Sequence, residues 1–317
     1  MSGIYDFIRN LCAPVFGGVL SAFYNLTGSY VLSIVFLTLI IRLLLLPVSI
    51  KQQKNSAKQV RLNTKVNKIK QKYAGNQQKI QEETQALYQR EGFGASNMGC
   101  GPLAIQMFVM IGLYGVIYTP LSSVLRLADA TIEKMAGIMN VAMTGKDANM
   151  FEIKILDTFA NFKDALVNGG ISSADIARIS ELREKYMIFG LDLTGKPEMK
   201  EPNALWLIPI LAFATSMLSS VFMYFKQKQQ NPEMAKNPTM GCMTFMSPLM
   251  SLWFTFLFPA GVGFYWIVSN IITFVQQVVL SSLYSPKKVI AQQMVEETIV
   301  RRSKEQNAKL RAENDKK

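Results

Sequence analysis

Tyr30-Val-Leu-Ser-Ile-Val-Phe-Leu-Thr-Leu-Ile-Ile-Arg42-Leu-Leu-Leu-Leu-Pro47-Val-Ser-Ile50 is an apolar run interrupted by a single charge. Its length suits a bilayer-crossing helix, which needs about 20 apolar residues. A guanidinium at that depth keeps its proton, and burying it costs about 2.5–3.5 kcal/mol on insertion scales. Something must hydrate or pair it. No Asp or Glu lies in this run or in the other apolar runs read below, so no internal ion pair is expected. What remains is a water-filled cavity that opens onto Arg42 and can receive an anionic partner from outside the protein. Snorkelling to the interface is the competing account. Eight residues separate Arg42 from Lys51, which weakens it.

Half of the 317 residues are apolar, and further runs reach membrane length at 102–120, 204–225, 241–259 and 261–281. With 31–50 they predict an all-α membrane protein of five transmembrane helices around a hydrophilic groove. Pro259 and Gly261 stop the last two from fusing and predict a tight hairpin. Segment 51–101 carries ten Lys or Arg against three acids, loop 226–240 adds Lys226, Lys228 and Lys236, and the tail 282–317 adds nine more basic residues. Segment 121–203 has ten basic and twelve acidic residues. Basic flanks face the cytoplasm, so the reading is N-terminus outside, C-terminus cytoplasmic and 121–203 extracytoplasmic. The net charge of +12 is then a topological imprint before it is a nucleic-acid signal.

Between the spans, Leu62, Val66, Ile69 and Tyr73 form one helical stripe, Gly75-Asn76 breaks it, and Ile80, Thr84 and Leu87 restart it. Segment 51–101 is therefore a cytoplasmic two-helix hairpin, polar enough to be mobile. Within 1–30, Ile4, Phe7, Ile8 and Leu11 recur beside Asp6 and Arg9, which suggests an amphipathic helix on the outer interface. Ser172 precedes a helix in the outer segment, for which an interfacial cap or lid is the plain expectation.

Polar residues inside the spans also form stripes. Thr38, Arg42 and Ser49 share a face of the first span; Trp266, Asn270, Thr273 and Gln277 share one of the fifth. Thr215 and Ser219 lie in the third span and Gln106 in the second. Such faces converge on an interior rather than on lipid, although Ser and Thr alone can bond their own helix carbonyls. With no histidine in the chain, imidazole catalysis and histidine metal sites are excluded. No phosphate-binding loop and no zinc spacing occurs, so no enzyme activity, cofactor or metal is expected. An anion-selective channel or small-solute transporter using Arg42 as its selectivity charge is one function class left open. The absence of embedded acids and of internal repeats speaks against coupled transport.

The motifs carry a resemblance. Arg42-Leu-Leu-Leu-Leu-Pro47 with Gln52, Ser56 and Ile69-Lys-Gln-Lys-Tyr73 resembles the first core span and hairpin of the YidC family of membrane-protein insertases. Gly99-Cys-Gly-Pro102, Ile105-Gln-Met107 and Leu113-Tyr114 resemble its second core span; Phe189-Gly-Leu-Asp-Leu193 and Phe258-Pro-Ala-Gly-Val-Gly-Phe-Tyr-Trp266 with Ser269-Asn270 and Gln276-Gln277 fit the later ones. Phe108, Thr64 and Ser219 depart from the family's usual proline, proline and glutamine. The resemblance implies a groove open to the cytoplasm and to lipid, lined by Arg42, Thr38, Gln106, Thr215, Ser219, Trp266, Asn270 and Gln277. It implies nascent membrane proteins and lipids as partners, in a bacterial plasma membrane, without nucleotide hydrolysis. Ribosome docking through the basic tail and hairpin, and cooperation with a Sec-type translocon, are further expectations; sequence-specific nucleic-acid binding is not.

Overall fold

The computed structural model describes residues 2–92, 100–143, 148–230 and 238–314, and they form two compact units. The first comprises Met1–Leu44, Leu103–Lys228 and Glu233–Val275, and the second Leu45–Pro102, Gln229–Pro232 and Gln276–Lys317.

In the first unit, α1 (Ser2–Thr27) turns at Gly28 into α2 (Tyr30–Leu44). Gly28 sits at φ +62°, a left-handed position that only glycine takes freely, and its N–H caps Tyr24 O at 2.8 Å. The two helices pack through Phe23 and Phe36, whose rings stack at 4.9 Å. α1 continues well past the amphipathic stripe read from the sequence, of which the side chains of Phe7 and Leu11 are described and exposed. It presses on α5 (Cys100–Tyr118) at Gly112, where a Cβ would stand 2.6 Å from Cys12 Cβ. α2 ends where it does because Pro47, in the first turn of the next helix, has no N–H to give Leu43 and a ring that crowds its carbonyl.

Beyond α5 the segment 121–203 folds on a core of its own. It contains α6 (Pro120–Ser123), α7 (Asp129–Ile138), α8 (Phe151–Thr158), α9 (Lys163–Asn168) and α10 (Ser173–Lys185). Ile155, Leu156, Leu166, Ile179 and Leu182 are completely buried among them. Ser172 caps α10 through Ala174 N at 3.2 Å, as its position before the apolar stripe predicts. A two-stranded hairpin follows, β1 (Met187–Ile188) paired antiparallel with β2 (Leu191–Asp192). Then come α11 (Leu207–Gln230), α12 (Pro238–Thr255) and α13 (Ala260–Leu283). Gly263 brings α13 onto α11, since a Cβ there would meet Ile208 at 2.4 Å.

In the second unit, α3 (Leu46–Lys72) and α4 (Gln77–Arg90) are joined through Gly75, at φ +91°, with Asn76 capping Lys79 N at 3.1 Å. α14 (Pro286–Asn314) lies along α3. Arg61 donates two hydrogen bonds to Glu297, at 2.8 and 3.1 Å, and Lys65 pairs with Glu91. The tail is thus a helix docked on the hairpin, beyond what its basic composition suggested. Residues 93–99, at the end of the predicted hairpin segment, and loop residues 231–237 lie outside the described residues.

By length and composition, two helices among the described residues can each cross a membrane: Ala204–Gln230 and Ala260–Leu283. α2 and α3 qualify as a third only when taken together across their break.

Candidate functional site

Arg42 lies in the last turn of α2, where the helix dipole favours a cation. Its guanidinium donates to Ser269 Oγ on α13 at 2.6 Å. One turn earlier on α13, buried Tyr265 shares a hydrogen bond with the same hydroxyl. Among the described residues no carboxylate pairs with Arg42. Among the described residues one neutral hydroxyl meets five N–H donors, which leaves the charge uncompensated and most of its donor capacity unspent there.

The neighbouring residue does a different job. Asn270 Nδ2 donates to Ala212 O at 3.2 Å and Thr215 Oγ1 at 3.3 Å, tying α13 to α11. Consecutive residues of α13 therefore hold α2 on one side and α11 on the other. Asn270 is a cross-helix tie, and Thr215 also bonds its own helix at Leu211 O, 2.8 Å.

The remaining sequence candidates separate. Thr38 is buried and spends its hydroxyl on Ile34 O at 2.6 Å. Trp266 joins an aromatic cluster with Tyr114, Phe254 and Phe258, its ring centroid 6.0–6.3 Å from theirs. Ser219 Oγ is buried without a partner among the described residues. Gln277 falls in the second unit, and its Oε1 is likewise buried and unpartnered among them. Gln106 belongs to α5, but its side chain lies outside the described residues.

Sequence reasoning passed over Tyr265 and Ser269 as partners of Arg42. Their spacing of four was visible, but the adjacent Trp266–Asn270 stripe, rotated by one residue, carried the more polar and aromatic side chains and drew the assignment.

A buried acid marks the segment 121–203. Glu152 on α8, 3% exposed, accepts from Leu121 N at 2.8 Å, Ser122 N at 3.0 Å and Ser122 Oγ at 2.8 Å. Burial pushes its carboxyl up to about 7, against the pull of the Ser122 and Leu121 hydrogen bonds.

A helical chain with bilayer-length apolar segments and an uncompensated cation at the end of one helix defines an all-α, membrane-inserted protein. The family described as 60Kd inner membrane protein matches residues 22–288. The chain belongs to that family, the YidC family. It is 28% identical over 257 residues to the membrane protein insertase MisCA of Bacillus subtilis, covering 80% of this chain and 70% of that protein. It is 25% identical over 293 residues to the membrane protein insertase YidC of Clostridium perfringens, covering 91% and 95%. A shorter match to the membrane protein insertase YidC of Caulobacter vibrioides reaches 35% identity over 113 residues, 36% of this chain and 18% of that protein.

Proposed function

We propose that this chain is a membrane-protein insertase and chaperone. Its five spans enclose a hydrophilic groove that opens to the cytoplasm and laterally to lipid. The observation that carries this reading is Arg42, held by a serine hydroxyl with no carboxylate among the described residues. A cation kept that way is available to an acidic segment arriving from outside the protein. The unpartnered Ser219 hydroxyl supports a wet or substrate-facing wall, because buried polar atoms need a partner.

The energetics follow from the solvent. A groove reaching partway across shortens the hydrocarbon path that polar residues must cross. The apolar helix of the client then leaves sideways into lipid, and burial of its surface drives the step without a nucleotide. A membrane potential positive outside adds about 2.3 kcal/mol per acidic charge per 100 mV. The N-terminus lies outside and the C-terminus in the cytoplasm of a bacterial plasma membrane. The basic hairpin and α14 present Lys58, Arg301 and Lys304 to a ribosome, and a Sec-type translocon is a further candidate partner.

Purified full-length protein in liposomes, supplied with a newly made single-span substrate, tests the proposal by protease protection. Protection of the translocated tail without nucleotide is the expected result. No protection, together with an anion flux through the same liposomes, would make the protein a channel instead.

A further inference from the structure

The turn between β1 and β2 consists of Phe189 at φ +49° and Gly190 at φ +78°. Two left-handed central residues make the type I′ turn, whose first position is filled best by Asn, Asp or Gly. A residue with a Cβ in that conformation costs about 1–2 kcal/mol. Phe189 recovers none of it by packing, since it is 99% exposed. Folding therefore gives no reason for an aromatic here, and Met187 beside it on β1 is 47% exposed as well.

The hairpin is fixed at its base. Asp192 accepts from Arg183 at 3.1 and 2.5 Å and from Thr194 N at 3.0 Å. Leu193 O and Gly195 O accept the N–H groups of Gly261 and Ala260, at 2.9 and 2.8 Å, where α13 begins. Trp206 Nε1 donates to Glu198 O at 2.8 Å, closing the chain onto the start of α11. Both helices are long and apolar enough to cross a bilayer. The base of the hairpin is thereby tied to the N-terminal ends of α11 and α13.

We infer that Phe189, with Met187, inserts into the headgroup–acyl boundary of the adjacent leaflet and anchors this end of the bundle to lipid. The lipid surface is the occupant for two reasons. Leu207, Ile210 and Leu211 on the first turns of α11, the helix to which the hairpin's base is tied, are exposed as well and face hydrocarbon if that helix spans. One ring and one thioether also fall far short of the roughly 1,000 Å² a stable protein interface needs, whereas a single interfacial aromatic suffices as a lipid contact. The inference rests on α11 and α13 spanning the membrane and not on insertase activity.

The test uses the full chain with Cys12, Cys100 and Cys242 replaced by alanine and a nitroxide attached at Phe189→Cys. It is reconstituted in phosphatidylcholine–phosphatidylglycerol vesicles and read by power saturation against oxygen and a water-soluble nickel chelate. A label at 189 should collide several-fold more with oxygen than with nickel, and one at Met187→Cys should show the same sense at shallower depth. A label at exposed Asp164→Cys in the same unit should favour nickel. A label at 189 as nickel-accessible as that at 164 would overturn the inference, as would one shielded from both reagents by protein. Insertion is assayed separately on unlabelled wild-type protein, so loss of the anchor and loss of the proposed function are distinguishable.

Discussion

Arg42 and Glu152 sit in the same compact unit and are treated in opposite ways. Glu152 is an acid with no cation partner among the described residues, yet three donors from the start of α6 close around it, and it can take up a proton. Arg42 is a cation that, among the described residues, has no acid partner and holds one hydroxyl, and it cannot give its proton away. Segment 121–203 satisfies its buried charge internally. α2 leaves its own standing, and a charge left standing at a cost is the mark of a group kept for use.

The sharpest way to break the contrast is substitution of Arg42. Arg42→Ala should reduce insertion of acidic-tailed substrates to background while thermal unfolding stays near wild type, because no ion pair is lost. Arg42→Lys should retain most activity, and neutralising the substrate tail should lessen dependence on residue 42. If Arg42→Ala unfolded the protein, the residue would belong with Glu152 as structure.

Glu152 should show the mirror image, in stability and with a defined sign. Its carboxyl is raised from 4.5 to about 7 in the folded protein, so its stabilising contribution is full below 4.5 and is lost as pH rises through about 7. The loss is on the order of 3 kcal/mol for a group this buried. Glu152→Gln keeps an acceptor for Leu121 and Ser122 but has no proton to lose. Its unfolding temperature should fall less than that of wild type between pH 5 and pH 8; parallel curves would show that the carboxyl titrates normally.

Arg183 offers a control, a cation the protein does pair. Burial alone would raise the Asp192 carboxyl, and hydrogen bonds from Thr194 and Arg183 more than reverse this, leaving it below the usual range. Arg183→Ala should cost about 2 kcal/mol of stability by stranding a charge-assisted acceptor, with insertion intact at permissive temperature. The smallest effect is expected at Ser269→Ala, which frees the guanidinium without removing it. Insertion should drop by about threefold, the scale of one modest hydrogen bond, and Ser269→Thr should restore it.

What was legible in the chain tracks what is local. Gly75-Asn76 turns the hairpin and Ser172 caps α10, because turn and cap effects act within a few residues; the first span, read as one helix over 31–50, instead breaks at Leu45 ahead of Pro47. Arg42 stood out because a lone charge inside an apolar run is visible without knowing its neighbours. Its partner was not legible, because the choice between the Tyr265–Ser269 and Trp266–Asn270 faces depends on how α13 is rotated, and packing decides that. α14 was read as charge alone. Ser285 before Pro286, then Val289, Gln293, Glu297, Val300 and Lys304 at helical spacing, were the signal that could have found it.

The bond between Arg61 and Glu297 joins residues 236 positions apart. During synthesis at about 5–20 residues per second, α3 leaves the ribosome some 10–50 s before its partner helix exists. Leu62 and Val66, buried in the finished protein, belong to a helix that must wait uncovered on that side for most of translation. The second unit therefore cannot be finished as it is made. Its assembly is a closing act that follows the synthesis of α5 to α13, and a chain stopped before residue 297 would carry the hairpin in an unfinished state.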